Sequence, residues 1–283
     1  MQRWLRRFGL AIGVLLALGL VAYGCVYLRS QQILTRTYAV PRTTLQVPGG
    51  SDAVAAGQRL ATLIGCYGMC HGRDAEGRVM FEDRLVARFV APSLGLAVRR
   101  YSDAELDGLI RHGVRPDGRS LVVMPSQSYQ ALDDADLGRI IAFLRSLPPR
   151  PAGTSLGTEL YPLGRLGVAL GELQPAAQMV VEAVPPPPAT GGDGRGRYLA
   201  RIACGPCHAP DLRGESNPDF TSPNLQVARG YSSEAFTTLL RTGVALGGRE
   251  LRTMSPAARK HLALLEDDEI ADLYAYLHTL GDD

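Results

Sequence analysis

The chain has 283 residues, 46% of them hydrophobic and 20% charged, which excludes disordered and fibrous classes and leaves room for two modest domains. Basic and acidic residues number 30 and 28, and Lys260 is the single lysine. Four arginines (Arg3, Arg6, Arg7, Arg29) lie in the first 30 residues, which hold no acid; the mildly acidic remainder carries no footprint of a nucleic-acid-binding protein.

In chain order, the first predicted element is an apolar helix. Phe8 to Leu28 runs 21 residues without a charge, about 30 Å at helical rise and so the thickness of a bilayer's hydrocarbon core. Three arginines precede this span and Arg29 follows it, which directs the N-terminus to the cytoplasm and the body outward. Residues 1–30 are therefore expected to form an uncleaved anchor, followed by a juxtamembrane linker over 31–49. A cleaved signal peptide, with Ala22 and Gly24 as small residues of the cleavage site, and a lipidated Cys25 are the alternatives. The apolar run continues through Val26, Tyr27 and Leu28, which a cleaved signal would not need.

Two stretches of the body repeat each other. Gly57-Gln58-Arg59-Leu60-Ala61 and Cys66-Tyr67-Gly68-Met69-Cys70-His71 match Gly196-Arg197-Tyr198-Leu199-Ala200 and Cys204-Gly205-Pro206-Cys207-His208. Each His is followed by an Asp at +3 (Asp74, Asp211) and a Gly at +6 (Gly77, Gly214). Ala91-Pro92-Ser93-Leu94 then matches Ser222-Pro223-Asn224-Leu225, and Tyr101-Ser102 matches Tyr231-Ser232. Leu109 to Val114 matches Leu239 to Val244, and a methionine follows 11 residues after the glycine of each (Met124, Met254). These fixed offsets predict homologous domains over 50–148 and 194–283. Short helices are expected before the cysteines, carrying Leu60, Leu63 and Ile64, and Leu199 and Ile202. Closing helices are expected on Leu137, Ile140, Ile141 and Leu144, and on Ile270, Leu273, Tyr274 and Leu277. No run alternates long enough for a strand, so the expected class is all-α. The linker 149–193 holds Pro185 to Pro188, a stiff segment, then the flexible Gly191-Gly192. Its stretch Tyr161 to Gly171 is apolar enough to pack on a domain or a partner.

The cysteines carry the chemistry. Cys204-x-x-Cys207-His208 is the attachment pattern of c-type haem, in which two thiols join the haem vinyl groups and the imidazole binds iron. Zinc is the alternative, but domain two offers only His261 and His278 as further ligands of the Cys or His type. Cys66 and Cys70 are one residue further apart, while Cys70-His71 keeps its adjacency. Attachment through Cys70 alone, or a domain without haem, are the alternatives there. For the remaining iron position Met124 and Met254 occupy matching places, a thioether that raises the potential and suits a carrier. His261, seven residues past Met254, is the competing ligand for the second site. Met80 and Met179 are poorly placed, and His112 and His278 read as surface or packing residues. Arg111 and Arg241 read as a solvated helix face, with haem propionates as the other possibility.

These residues resemble the class I cytochrome c domain: Cys-x-x-Cys-His early, Met124-Pro125, then an apolar C-terminal helix. Over about residues 50–148 and 194–283 the chain is similar to membrane-anchored dihaem cytochromes c of bacteria. The resemblance implies small helical folds around two covalently bound haem c groups, on the periplasmic side of the bacterial inner membrane, and electron transfer as the function. It implies redox partner proteins, a dehydrogenase or quinol-oxidising complex on one side and an acceptor such as a terminal oxidase on the other. A dihaem enzyme of the peroxidase or thiosulfate dehydrogenase type is the alternative, and a structural anchor within a respiratory complex a third. With a single lysine, the chain lacks the lysine ring through which soluble cytochromes dock.

Overall fold

A computed structural model describes residues 2–41, 43–151, 153–184, 194–216 and 221–281. The Pro185–Pro188 and Gly191-Gly192 segments lie outside the described residues. Helix α1 (Gln2–Leu34) runs without a break through Gly24 and the exposed Cys25, about 50 Å in all. By length and hydropathy it could cross a membrane.

The body is mostly helical. Its first half contains α2 (Ser51–Leu63), strands β1 (Arg78–Asp83) and β2 (Ala87–Ala91), then α3 (Leu94–Ala97), α4 (Asp103–His112), α5 (Ser126–Tyr129) and α6 (Asp134–Ser146). The connecting segment adds β3 (Glu159–Leu160), α7 (Pro162–Leu170) and α8 (Ala176–Glu182). The second half contains α9 (Arg195–Leu199), α10 (Gly205–His208), the strand pair β4 (Glu215–Ser216) and β5 (Thr221–Ser222), and α11 (Ser233–Thr242). A second short pair, β6 (Val244–Ala245) and β7 (Arg249–Glu250), precedes α12 (Met254–Lys260) and α13 (Asp267–His278).

Local sequence explains the helix boundaries. Ser102 caps α4 in a reciprocal capping box with Glu105, and Ser232 caps α11 by accepting from the Ala235 amide. Gly113 and Gly243 end those helices in the left-handed conformation. Asp133 caps α6, whose Leu137, Ile140, Ile141 and Leu144 are all buried, and Pro148 follows its end.

In each half, the helix before the cysteines crosses the closing helix at a repeated glycine. A Cβ on Gly57 would land on the Arg139 carbonyl, 2.5 Å from its carbon, and one on Gly196 would sit 2.7 Å from the Tyr276 Cβ. Only a residue without a side chain lets the two backbones approach this closely. Around each crossing lies a hydrophobic core, one centred on Leu137, Ile140 and Ile141, the other on Leu265, Leu273 and Leu277.

The cores exchange residues. Ile202, from the second half, lies in the first core, and Leu63, from the first half, lies in the second. Polar contacts cross the same boundary. Arg59 grips Glu269 with both guanidinium nitrogens, at 2.9 and 3.0 Å. The Tyr198 hydroxyl donates to Asp136 at 2.7 Å, and Arg201 donates to Gln130 at 2.9 Å.

The expectation of helices alone needs one correction. β1 and β2 form an antiparallel hairpin, its turn held by Asp83, whose carboxylate accepts from the Leu85 and Val86 amides. β3 adds to it from the connecting segment. The apolar stretch Tyr161 to Gly171 thus follows β3 directly and becomes the helix α7 with its two caps, which lies along α1.

Candidate haem-attachment sites

The two cysteine motifs differ in backbone. In the second, Gly205–His208 is helical with Pro206 in its first turn, which brings Cys204, Cys207 and His208 onto one turn. In the first, the extra residue is absorbed by an extended Tyr67 (φ −95°, ψ 139°) and a left-handed Gly68 (φ 84°). The turn then closes with the Cys70 amide donating to the Gly65 carbonyl at 3.0 Å. Insertion there leaves Cys70-His71 in place.

Both histidines are oriented by the same device. The Nδ1–H of His71 donates to the Pro92 carbonyl at 2.9 Å, and that of His208 donates to the Pro223 carbonyl at 2.9 Å. A hydrogen-bonded Nδ1–H fixes the tautomer and leaves Nε2 as the free coordinating nitrogen. The proline carbonyl is carried there by a repeated loop. The Gly77 amide donates back to the His71 carbonyl at 2.8 Å, and the Gly214 amide to the His208 carbonyl at 2.9 Å. Both glycines are left-handed, and a Cβ on either would sit 2.5 Å from the passing strand, at Ser93 N and Ser222 O. Burial pushes both imidazoles below the usual histidine range, favouring the neutral form that binds metal.

All four motif cysteines are free thiols. Burial pushes Cys66 and Cys204 up to about 12, and pushes Cys70 and Cys207 up as well. They are therefore neutral thiols in the free chain. Among the described residues no group of three or more His, Cys, Asp or Glu side chains is arranged to hold a metal ion, which leaves the zinc alternative without a ligand set. Paired thiols beside an imidazole with a free Nε2 fit a covalently attached haem at both motifs.

Met124 packs against the first core and Met254 against the second, where it begins α12. His261 is buried, but it turns toward the other half. Its Nδ1–H donates to the Thr62 carbonyl at 2.7 Å, and its ring lies near Gly68 in the first motif.

With this geometry in view, the cytochrome c family model matches residues 54–148 and 194–281. The chain belongs to the cytochrome c family. It is also similar to the alcohol dehydrogenase (quinone), cytochrome c subunit, of Gluconacetobacter polyoxogenes and of Komagataeibacter europaeus. Each is 26% identical over 258 residues, covering 78% of this chain and 54% of the relative. The chain thus spans about half the length of the curated relatives it matches.

In this cytochrome the two motifs lie close together. The Cys207 sulfur lies near enough to Cys70 to add to the upward push on its thiol, after burial. Beside them stands Tyr129, buried, its hydroxyl donating to the Ile64 carbonyl at 2.8 Å. Burial first, then Cys70, Cys66 and Cys207, push the Tyr129 hydroxyl well above its usual range, so it stays a neutral donor. Neighbouring Ser128 approaches Gly205 of the second motif so closely that a Cβ there would lie 2.9 Å from its hydroxyl oxygen. The Ser128 hydroxyl, the Gln127 carbonyl oxygen and Arg201 Nε are buried at this junction without a hydrogen-bond partner.

Arg111 and Arg241 are ion-paired within their own halves. Arg111 binds Asp107 at 2.5 Å, Asp134 at 2.8 Å and the Leu132 carbonyl at 3.1 Å, while Arg241 binds Asp267 at 2.7 Å and the Ala263 carbonyl. Each ties the helix that carries it to the start of a closing helix. His278 stacks on Tyr274 with centroids 3.9 Å apart, the packing role expected of it. The repeat had marked Pro92 and Pro223 as matching positions, but a carbonyl acceptor has no signature in side-chain identity. Tyr129 and Ser128 have no counterpart in the second repeat and gave no signal.

Proposed function

We propose that this chain is a membrane-anchored electron carrier with two haem c groups, one in each of two tandem domains over 50–148 and 194–283. Cys66 and Cys70 would attach the first haem and Cys204 and Cys207 the second. His71 with Met124, and His208 with Met254, would complete the two iron coordination spheres. The observation that carries the reading is the duplicated orienting bond, His71 to Pro92 and His208 to Pro223, each beside paired free thiols.

A bound haem supplies a one-electron iron couple. The chain's residues hold it, exclude water and tune it. The buried thiols provide the covalent hold. The proline carbonyls polarise the histidines through Nδ1–H and make Nε2 a better donor. The nearness of the motifs, with Tyr129 beside both, favours passage of electrons between two sites inside one chain. His261 turns away from its own half, its ring lying near Gly68 of the first motif, which supports Met254 as the ligand of the second iron.

The relatives are named as cytochrome c subunits of a quinone alcohol dehydrogenase. From that we infer a subunit role in a dehydrogenase complex, accepting electrons from a catalytic partner and delivering them toward the membrane. α1 would serve as the anchor, with the body on the periplasmic side. The test is a haem count and a redox titration on the detergent-solubilised full chain. Two covalent haems per chain, both low-spin in both redox states, are expected. One haem per chain would overturn the assignment of the Cys66 site, and a high-spin haem that binds cyanide quickly would overturn the carrier reading in favour of an enzyme.

A further inference from the structure

Helix α7 is not part of either attachment site, and its position relative to α1 gives it a separate role. Arg165 fixes that position. Its guanidinium lies over the Tyr27 ring, 4.3 Å from the centroid, and donates to Ser30 Oγ at 3.2 Å and Gln31 Oε1 at 3.4 Å. On its other side α7 is pinned to the β1–β2 turn, the Leu163 amide donating to the Leu85 carbonyl at 2.9 Å. Tyr27 is the last residue but one of the uncharged run Phe8 to Leu28. If α1 spans the bilayer, α7 is therefore held at the height where hydrocarbon gives way to water.

The face that α7 turns away from the body is apolar. Leu163, Leu166 and Leu170 fall at i, i+3 and i+7, one stripe of the helix, and are 49%, 37% and 69% exposed. Leu85, in the adjoining turn, is 62% exposed. α7 carries no acid, and its one charge, Arg165, is spent on α1. At the same height the neighbouring surface of α1 is itself bare, with Leu28 70% exposed.

We propose that the Leu163, Leu166 and Leu170 stripe beds into the lipid bilayer, in the leaflet next to the haem-bearing body. The proposal rests on the anchor reading of α1. Lipid is the occupant because the stripe continues the wall of α1 that lipid must already cover. An amphipathic helix lying in the interface plane buries just such a face. A single spanning helix leaves the body free to turn about its axis; a second contact beside it fixes which face of the body looks along the membrane.

The experiment uses the haem-loaded full chain in phosphatidylcholine nanodiscs, with no other protein present, that contain a phospholipid with a photoreactive diazirine high on its acyl chain. Cross-links are mapped by mass spectrometry. We expect labelling of α1 together with labelling of Pro162–Leu170 about five-fold above that of the exposed segments Leu246–Gly248 and Arg249–Glu250. The combined variant Leu163→Gln, Leu166→Gln, Leu170→Gln should bring α7 to that background while α1 stays labelled and the haem spectrum is unchanged. Should the triple variant fail to fold, Leu170→Gln alone, at the most exposed position, is expected to halve the α7 signal approximately. Labelled α1 with α7 at background would overturn the proposal and leave the anchor intact. Unlabelled α1, or an intact mass lacking the first residues, would overturn the anchor and the proposal with it.

Discussion

Replacing Gly57 by alanine sets helix propensity against packing, and the structure decides the sign. In an exposed helix the change would add about 0.8–1 kcal/mol of stability. Here the new Cβ would fall on the Arg139 carbonyl, 2.5 Å from its carbon and 3.0 Å from the Phe143 Cβ, where ordinary contacts begin at 3.4 Å. The obstacle is backbone, which cannot rotate away, so α2 and α6 must part by about 1 Å. Overpacking of this kind costs about 1–3 kcal/mol, and separating the helices also loosens the contacts of Leu60 and Ile140 on either side. After the propensity gain is subtracted, the net expectation is a loss of about 1–2 kcal/mol. Gly196→Ala should behave alike, since its Cβ would lie 2.7 Å from the Tyr276 Cβ and 2.8 Å from the Asp272 carbonyl carbon. Gly167→Ala is the control: its nearest neighbour is the Leu173 Cβ at 3.6 Å, so it should be neutral or stabilising by up to about 1 kcal/mol. The assay is urea unfolding of the haem-loaded chain in detergent, followed by circular dichroism in the Soret region. Equal midpoint shifts for Gly57→Ala and Gly167→Ala would refute the crossing argument.

Three further outcomes follow from the boundary between the cores. Burial pushes the Glu269 carboxyl up, but hydrogen bonds from Arg59 and the Glu266 amide outweigh it and leave the group below its usual range. Its stabilisation is thus complete above about pH 4.3 and is lost as pH falls through the lower folded value, and Arg59→Gln should weaken that acid dependence. A double-mutant cycle of Arg59→Gln and Glu269→Gln should give a coupling of about 1–2 kcal/mol, below a fully buried pair because the Arg59 side chain is 31% exposed. His261→Phe should cost about 1–3 kcal/mol by leaving the Thr62 carbonyl unpaired, with both haem spectra unchanged. A changed spectrum would make His261 an iron ligand.

The repeat made much of the site legible, because its residues recur at fixed offsets and each offset fixes a local structure. Gly57 and Gly196, Ser102 and Ser232, Gly113 and Gly243 each proved to have the same physical job twice. The closing helices were readable because their apolar residues follow the helical period. The hairpin β1–β2 was not, since Val79 and Phe81 alternate too briefly to stand out from a loop, and Asp83 acts through a turn. Arg111 and Arg241 looked like surface charges because helix spacing cannot say that Asp134 or Asp267 would come within reach. Above all, periodicity places a residue on a face but does not say which core that face meets. Leu63 and Ile202 were both expected as apolar positions, and each is buried in the half to which it does not belong by sequence.

That exchange of Leu63 and Ile202 bears on how such a chain can change over time. A duplicated unit whose copies merely touch can lose one copy or trade it for another. Here, deleting either half would strip a leucine or an isoleucine of its cover and leave Arg59 or Glu269 without its counter-ion. Each half depends on the other for cover. The distance between the two attachment motifs is accordingly set by side-chain packing across the boundary.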